Sequence, residues 1–315
     1  MNSARLLDGL VAVDCSLWLP GRLCSSHLAS LGAEVTSVFP PAGDPMARYN
    51  PALCRWLDIG KTQVRIDLTS DAGRETFSDL LPPGAVVIEG YRRDTALRLG
   101  LSYDQLRGYC PDVVVCSLPA FRSGSAQAQL PAHDLQVQAF AGLIDPENPQ
   151  KPSFAAADVA SAMVATIGLT AAVASRRSSG RGCQIEIPMA DVAGYWSQVV
   201  RATAPSESGG SDIFVAGDGL PFALAVLGDR QREQLREVIG SLTGYTGELA
   251  RDDLVRVFHD ASRQQWLDSL SAVGLAVAPV HGDSEARRHE YYSERRGGGD
   301  GPPLLPVTVL QEGLW

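Results

Sequence analysis

Two runs of β-branched residues constrain the fold of this chain more than any other feature. Residues 85–90 read AVVIEG, and residues 112–118 read DVVVCSL. Runs of this kind are typical of strands that are covered on both faces. Helical segments alternate with these runs and with the shorter strand signals VAVDCS (11–16) and EVTSV (34–38). The alternation predicts a doubly wound α/β domain with a parallel sheet.

The rest of the chain continues the alternation and then changes character. Further signals indicate helices over 22–31, 71–81, 133–143 and 158–177, and a strand over 183–189. The polar segment APSESGGSD (204–212) is the best linker candidate. Beyond it we expect a strand over 222–228, helices near 229–240 and 250–272, and an extended segment over 277–282. We therefore predict a large domain over 1–203, a linker and a small α+β domain over 204–290, and a loop-rich tail over 291–315.

Composition narrows the class of protein. The net charge is −9 and the pI is about 5.1, which disfavours general nucleic-acid binding but leaves room for a local basic pocket. No apolar run is long and uninterrupted enough to suggest a membrane span, and the N-terminal residues lack a signal-peptide core. We expect a cytoplasmic protein that binds neither membrane nor nucleic acid. The six cysteines include no CxxC pair, so we expect reduced, buried thiols and no metal site.

One acid stands at the head of a long apolar segment. Asp158 is followed by no other charged residue until Arg176, and Val164, Ile167, Ala171 and Ala174 recur with helical spacing. The dipole and the free amides of a helix N-terminus stabilise an anion there. On these residues alone, Asp158 is equally well interpreted as an ordinary N-cap.

The surrounding sequence resembles the family III CoA-transferases, a group that also contains the α-methylacyl-CoA racemases. The resemblance covers most of the chain, and its segments occur in the same order. They are LLDGLVAVDCS (6–16), LASLGAEVTSV (28–38), AGDP with Arg48 (42–48), GKTQVRIDLTSDAGRETFSDLL (60–81), VVIEGYRRDTALRLGLSYDQL (86–106), CPDVVVCSLPAF (110–121), and the two blocks over 131–143 and 152–192.

The resemblance implies an architecture that composition and periodicity do not show. In the family, a Rossmann-like domain and a small domain are joined by long linkers, and two subunits pass through one another like linked rings. It therefore implies a homodimer with the active site at the junction of the domains. Relatives continue past a PLLP-like segment into a helical tail, so we expect the C-terminal return of this chain to be short.

The resemblance also assigns roles to acids and to a histidine. In the transferases, the aspartate that matches Asp158 attacks an acyl-CoA thioester and forms an acyl anhydride. In the racemases, the same aspartate works with a histidine that precedes another aspartate, here His133 before Asp134. A third acid of the small domain supports the racemase site, and Asp229 lies near its place. The alternative interpretations are a structural histidine at a helix start, and an Asp134 that caps a helix or orients a neighbour.

Coenzyme A, as substrate and acyl carrier, requires cations for its phosphates and apolar walls. The resemblance places the adenine end near Arg98 and Leu99 of the RLGL segment, and the acyl-carrying chain along the loop LWLPGR (17–22). The expected CoA-binding residues are Leu17, Trp18, Arg48, Lys61, Tyr91, Arg92, Arg98 and Leu99, with Arg93 as a further candidate. Each of these cations is also interpretable as an ordinary solvated surface charge.

Several departures from the family pattern leave more than one function open. Phe39-Pro40-Pro41 replaces an acid and a basic residue, Gly90-Tyr91 replaces an asparagine and an aromatic, and alanines surround Asp158. These changes leave room for an acyl group carried on a carrier protein. Three hypotheses follow: a CoA-transferase that uses Asp158, an α-epimerase of 2-substituted acyl thioesters that uses His133 and Asp158, and a divergent or non-catalytic member of the family.

Overall fold

The computed structural model describes residues 5–202 and 211–293. These residues divide into two compact units, of which the second begins at Arg201. The first unit contains a six-stranded sheet with the order β3-β2-β1-β4-β5-β6, and all neighbouring strands are parallel. Its strands are β1 Val11–Asp14, β2 Glu34–Phe39, β3 Lys61–Arg65, β4 Val86–Glu89, β5 Val114–Ser117 and β6 Cys183–Glu186. The predicted α/β class with a parallel sheet is confirmed.

Eight α-helices connect and cover these strands. They are α1 Leu19–Ser30, α2 Pro51–Leu57, α3 Asp71–Ser78, α4 Arg93–Arg98, α5 Tyr103–Tyr109, α6 Asp134–Phe140, α7 Ala156–Ser179 and α8 Met189–Ala202. Strands β4 and β5 are buried along their whole length. Val86 and Ile88 pack on one face of the sheet with residues of α1 and α7, whereas Val87 packs on the other face with Phe77 of α3. This two-sided burial explains the β-branched runs.

Helix α7 crosses the sheet face against α1 and is the longest element within residues 5–202 and 211–293. Among the described residues it is the one helix whose length and composition would also suit a membrane span, with a mean hydropathy of 1.6. Half of that apolar window is buried inside the protein. Ala162, Ala165 and Leu169 pack in the same core as residues of β4 and β5. The core helix of a soluble protein meets the same criteria, so α7 is weak evidence for a membrane span.

The second unit is a small α+β assembly. Its antiparallel sheet has the order β7-β8-β9, with β7 Ser211–Val215, β8 Pro221–Ala225 and β9 Ala276–Pro279. Its helices are α9 Asp229–Thr243, α10 Arg251–Val257, α11 Arg263–Ala272, α12 Asp283–Arg288 and α13 Glu290–Ser293. An aromatic core joins sheet and helices: Phe258 contacts Phe214, Phe222 and Trp266 at centroid distances of 4.7, 5.1 and 4.9 Å.

The structure differs from the sequence-based prediction in two segments of this unit. The helix predicted over 250–272 is wrong, because α10 ends at Val257 and Ala261 is extended (φ −140°, ψ 164°). Ser262 then starts α11, with its N–H donating to Oε1 of Gln265 at 2.9 Å. The predicted linker also differs at its end, since Ser211 and Asp212 already belong to β7. Residues 204–210 of that linker, and the tail from residue 294 onward, lie outside the described part of the chain.

Candidate active site

Asp158 lies in the first turn of α7, near two other sequence-predicted residues. The helix begins at Ala156 and its N-cap is Ala155, which has no side-chain cap hydrogen bond. Asp158 is therefore the third helical residue, and the interpretation of Asp158 as the N-cap is wrong. Its side chain is half-buried. The carboxylate thus stands beside the positive end of a 24-residue helix without closing that helix itself.

Asp134 caps this helix from a neighbouring element. Its Oδ1 accepts hydrogen bonds from the N–H groups of Ala157 (2.9 Å) and Asp158 (3.1 Å). Its Oδ2 accepts from Nε2 of Gln138 at 2.6 Å. The expected capping role of Asp134 is confirmed, but for α7 rather than for its own helix α6. The backbone of Asp158 is fixed by the residue that directly follows His133.

Two effects raise the pKa of Asp158 to about 7. The larger is burial, which disfavours the charged carboxylate, and the smaller is the negative charge of Asp134. A carboxylate with this pKa is more basic than an ordinary one. It is therefore better suited to attack a carbonyl carbon or to accept a proton at neutral pH.

His133 stands at the start of α6 with an exposed side chain. It is the N-cap residue of that helix, and its N–H donates to Oε1 of Gln136 at 3.1 Å. Its ring packs edge-to-face on Trp18, with the centroids 5.2 Å apart and the planes at 75°. The structure therefore brings Trp18, His133, Asp134 and Asp158 together where the β1–α1 loop meets the starts of α6 and α7. Leu17, half-buried, precedes Trp18 in the same loop.

The loop after β4 holds further predicted CoA-binding residues. The Tyr91 N–H donates to Oε2 of Glu89 at 2.7 Å. Arg92 is exposed and donates from Nη1 to the carbonyl oxygen of Gln129 at 3.1 Å, which ties this loop to the segment that leads to His133. Arg93 and Arg98 are exposed on α4, and Leu99 packs against the core. Because β1 and β4 are parallel neighbours, this loop and the Trp18 loop leave the same edge of the sheet.

Two of the predicted residues have other surroundings. The side chain of Lys61 is fully buried, and its ammonium donates to the Arg22 carbonyl oxygen (2.8 Å) and to Oγ of Ser25 (2.6 Å), 3.8 Å from the Asp14 carboxylate. The structure thus places Lys61 in an internal network rather than on a ligand-facing surface. Asp229 begins α9 in the second unit, with an exposed side chain.

Sequence analysis missed a row of polar residues at the carboxyl edge of the sheet. Glu89, Ser117 and Glu186 are register neighbours on β4, β5 and β6. Burial raises the pKa of Glu89 to about 7, although hydrogen bonds from Ser117 and from the Tyr91 amide act to lower it. Each of the three is the last residue of its strand. For Glu89 and Ser117, the position directly after an apolar, β-branched run is the cue in the sequence that would have identified them. Within residues 5–202 and 211–293, no three His, Cys, Asp or Glu side chains form a metal-binding group.

Comparisons with known proteins consistently relate this chain to one protein family. The sequence model of CoA-transferase family III matches residues 7–298. An acetyl-CoA:oxalate CoA-transferase from Acetobacter aceti is 25% identical over 96% of this chain and 88% of its own length. The human α-methylacyl-CoA racemase is 24% identical over 92% of this chain and 81% of its own length. A crystal structure of a hypothetical protein from Mycobacterium tuberculosis superposes with a TM-score of 0.78, at 25% identity over 93% of this chain and 89% of that one.

Other relatives match over a shorter span. For three further CoA-transferases, the chain covers 52% of the relative's length. In these matches the aligned part amounts to 59–61% of this chain.

Proposed function

This chain belongs to CoA-transferase family III, and from that premise we propose that it transfers CoA between an acyl-CoA and a carboxylic acid through an acyl anhydride on Asp158. The observation that carries the proposal is the environment of this carboxylate. Asp158 is half-buried at a helix N-terminus, its backbone is held by Asp134, and its pKa is raised to about 7. The curated CoA-transferases and the racemase among its relatives support acyl-CoA processing.

The proposed reaction uses Asp158 twice. A carboxylate oxygen attacks the thioester carbonyl carbon, the C–S bond breaks, CoA leaves as its thiolate, and an acyl anhydride remains on Asp158. The thiolate then attacks the Asp158 carbonyl carbon, which releases the donor acid and leaves CoA on the aspartate as a thioester. The acceptor acid enters by the reverse of these steps.

A second candidate function is supported by the position of His133. Racemisation at the α-carbon of an acyl thioester needs one group to remove the proton and a second group to return one on the other face. His133 adjoins the residue that binds the Asp158 amide, and its ring is exposed beside Trp18. The similarity to the human racemase covers most of both chains. In this reaction Asp158 and His133 would form the acid–base pair, with Asp229 as a supporting acid.

Intact-protein mass spectrometry with a panel of acyl-CoAs in deuterated water separates the two functions. An acyl or CoA adduct that is lost in Asp158→Asn but retained in His133→Ala supports transfer. Deuterium at the α-carbon without an adduct, lost in both variants, supports racemisation. Asp104→Asn is a matched control, because Asp104 also lies in the first turn of a helix but is exposed. If free acyl-CoAs give neither signal, the same panel on an acyl carrier protein tests the carrier-bound substrate.

We also propose that the protein acts as a homodimer. Apolar residues of the last three helices of the first unit are exposed in the single chain: Phe140 is 62%, Ile167 68% and Tyr195 65% exposed. Uncovered aromatic and aliphatic residues at this density are typical of subunit interfaces. Light scattering coupled to size exclusion should give twice the 33.5 kDa mass of the chain. A monomeric mass at micromolar concentration would contradict the proposal.

A further inference from the structure

We propose that Gln138 is a positioning residue that holds the carboxylate of Asp134 against the start of α7 and thereby determines which acid of the Asp134–Asp158 pair carries the proton. The inference rests on the proposed function, because Asp158 is the acid that attacks the thioester. It assigns a part in the reaction to a residue of α6 that touches no reacting atom in the proposed steps.

Gln138 is a buried polar side chain whose amide has two acceptors. It is 3% exposed and belongs to the helix that packs against α7. Its Nε2 donates to Oδ2 of Asp134 at 2.6 Å and to the carbonyl oxygen of Phe154 at 3.3 Å. An amide nitrogen carries two hydrogens, so both donors are in use. Because a buried donor without an acceptor is costly, these two contacts fix the orientation of the side chain.

The two contacts of Gln138 join the acid pair to the segment that leads into α7. The Phe154 carbonyl oxygen also accepts from the N–H of Ala156, the first residue of that helix, at 3.0 Å. On the other side, Oδ1 of Asp134 accepts from two amides in the first turn of α7. One glutamine therefore fixes both the carboxylate that caps α7 and the chain that enters it.

The hydrogen bonds around the pair suit an ionised Asp134 and a protonated Asp158. Both Asp134 oxygens accept from N–H groups, as a carboxylate does, whereas a carboxylic acid uses one oxygen as an O–H donor. Within residues 5–202 and 211–293, the carboxyl group of Asp158 has no hydrogen bond. Burial and the charge of Asp134 raise the pKa of Asp158 to about 7. A proton shared by the two acids therefore resides on Asp158.

Other titratable side chains on the elements packed against the start of α7 are exposed. His133, the N-cap of α6, is exposed and packs on Trp18. Helix α8, which packs there through Met189 and Ala193, carries Asp191. That side chain is exposed and lies 3.7 Å from Nε of Arg122. Asp134, held by Gln138, is thus the half-buried charge that acts on Asp158.

Removal of the Gln138 amide takes one of three N–H donors from the Asp134 carboxylate. Asp134 then binds a proton more readily, because a hydrogen bond to the charged form favours that form. Some singly protonated pairs will carry the proton on Asp134 and keep Asp158 ionised, which is the form that attacks. The loss of Gln138 therefore changes the pH dependence of the reaction as well as its rate.

Gln138→Met, which keeps the length of the side chain but has no donor, tests the inference. The measurement is the rate of Asp158 adduct formation at saturating acyl-CoA. The ratio of the rate at about pH 5.5 to the rate at about pH 8 should rise about threefold or more, since a hydrogen bond to a charged group changes proton affinity about tenfold. Gln136→Met is the matched control, because Gln136 lies on the same helix but bonds the His133 amide instead of Asp134. It should keep the wild-type ratio.

An unchanged ratio in Gln138→Met would overturn the inference and leave Gln138 a structural residue. Carbon NMR of the labelled aspartate carboxyls, assigned with Asp134→Asn and Asp158→Asn, measures proton sharing without any reaction. In the wild type the transition near pH 7 should appear on the Asp158 carbon, and in Gln138→Met on both carbons. A wild-type transition on the Asp134 carbon would overturn the inference even if the variant did not fold. The absence of an adduct with the expected NMR result would contradict transfer through Asp158 and support the role of Gln138.

Discussion

At the scale of single residues, the chemistry of Asp158 depends on the charge of Asp134. Asp134 holds the amide of Asp158 and at the same time disfavours its anion. Asp134→Asn keeps an oxygen that can accept from the two amides but removes the negative charge. It should therefore lower the pKa of Asp158 and favour its ionised form.

The first prediction concerns the pH dependence of adduct formation. In the wild type the rate of Asp158 acylation should rise with pH with an apparent pKa of about 7, because only the carboxylate attacks. In Asp134→Asn the rising part of this pH–rate profile should move to lower pH. The measurement is the rate of adduct formation between pH 5 and 8, with Asp104→Asn as the control. If Asp134 only holds the helix in place, Asp134→Asn will change the rate of adduct formation but not the apparent pKa of its pH dependence.

The buried ammonium of Lys61 contributes to the stability of the folded protein. Its ammonium is buried beside Asp14 and has its own partners, so removal of the charge leaves an uncompensated buried acid. Lys61→Met should destabilise the protein by about 3–5 kcal/mol, as is usual when one partner of a buried pair is lost. Lys151→Ala, an exposed control, should change the stability by less than about 0.5 kcal/mol. Urea denaturation measures both, and a large loss of CoA affinity with unchanged stability would instead support the expected ligand role of Lys61.

At the scale of secondary-structure elements, the entry into β6 requires a residue without a side chain. A Cβ on Gly182 would stand 2.0 Å from the carbonyl oxygen of Val113, which is a backbone atom and cannot move away. Gly182→Ala should therefore separate β6 from β5 and cost more than about 2 kcal/mol. Gly108→Ala on α5 meets no atom within 4 Å and should stabilise by about 0.5–1 kcal/mol through helix propensity. Equal unfolding midpoints for the two variants would contradict this reading of the β5–β6 contact.

The same elements show what the sequence could predict and what it could not. The central strands β4 and β5 were predictable because burial on both faces demands apolar, β-branched runs. Edge strand β3, KTQVR, carries no such signal, because most of its residues are exposed or half-buried. Helices α10 and α11 are separate because Ser262 caps the start of α11, although the helical periodicity of the sequence continues across this position. The position of Asp158 at a helix start was predictable, but its capping by Asp134 requires α6 and α7 to pack together.

At the scale of the whole molecule, buried ionisable groups set the pH dependence of stability. Burial raises the pKa of Glu89 and Asp158 to about 7, so the folded state keeps two protons that the unfolded chain releases near pH 4. Burial, with a smaller contribution from Lys61, lowers the pKa of His27 to about 4, so folding expels one proton below pH 6.5. The carboxyls of Asp67, Asp112 and Asp212, whose pKa values are lowered, titrate below this range.

The difference in bound protons between the folded and the unfolded chain determines whether the free energy of unfolding rises or falls with pH. Between about pH 5 and 6.5 the folded state holds roughly one proton more than the unfolded chain, two on the carboxyls less one on the imidazole. The free energy of unfolding should therefore fall with rising pH, by on the order of 1 kcal/mol per pH unit, and continue to fall toward pH 7. Glu89→Gln, which keeps an acceptor for the Tyr91 amide, should remove one of the two carboxyl protons and flatten the profile. Urea denaturation at fixed protein concentration measures both profiles, and a wild-type stability that rises from pH 5 to 7 would show that these two acids are ionised in the folded protein.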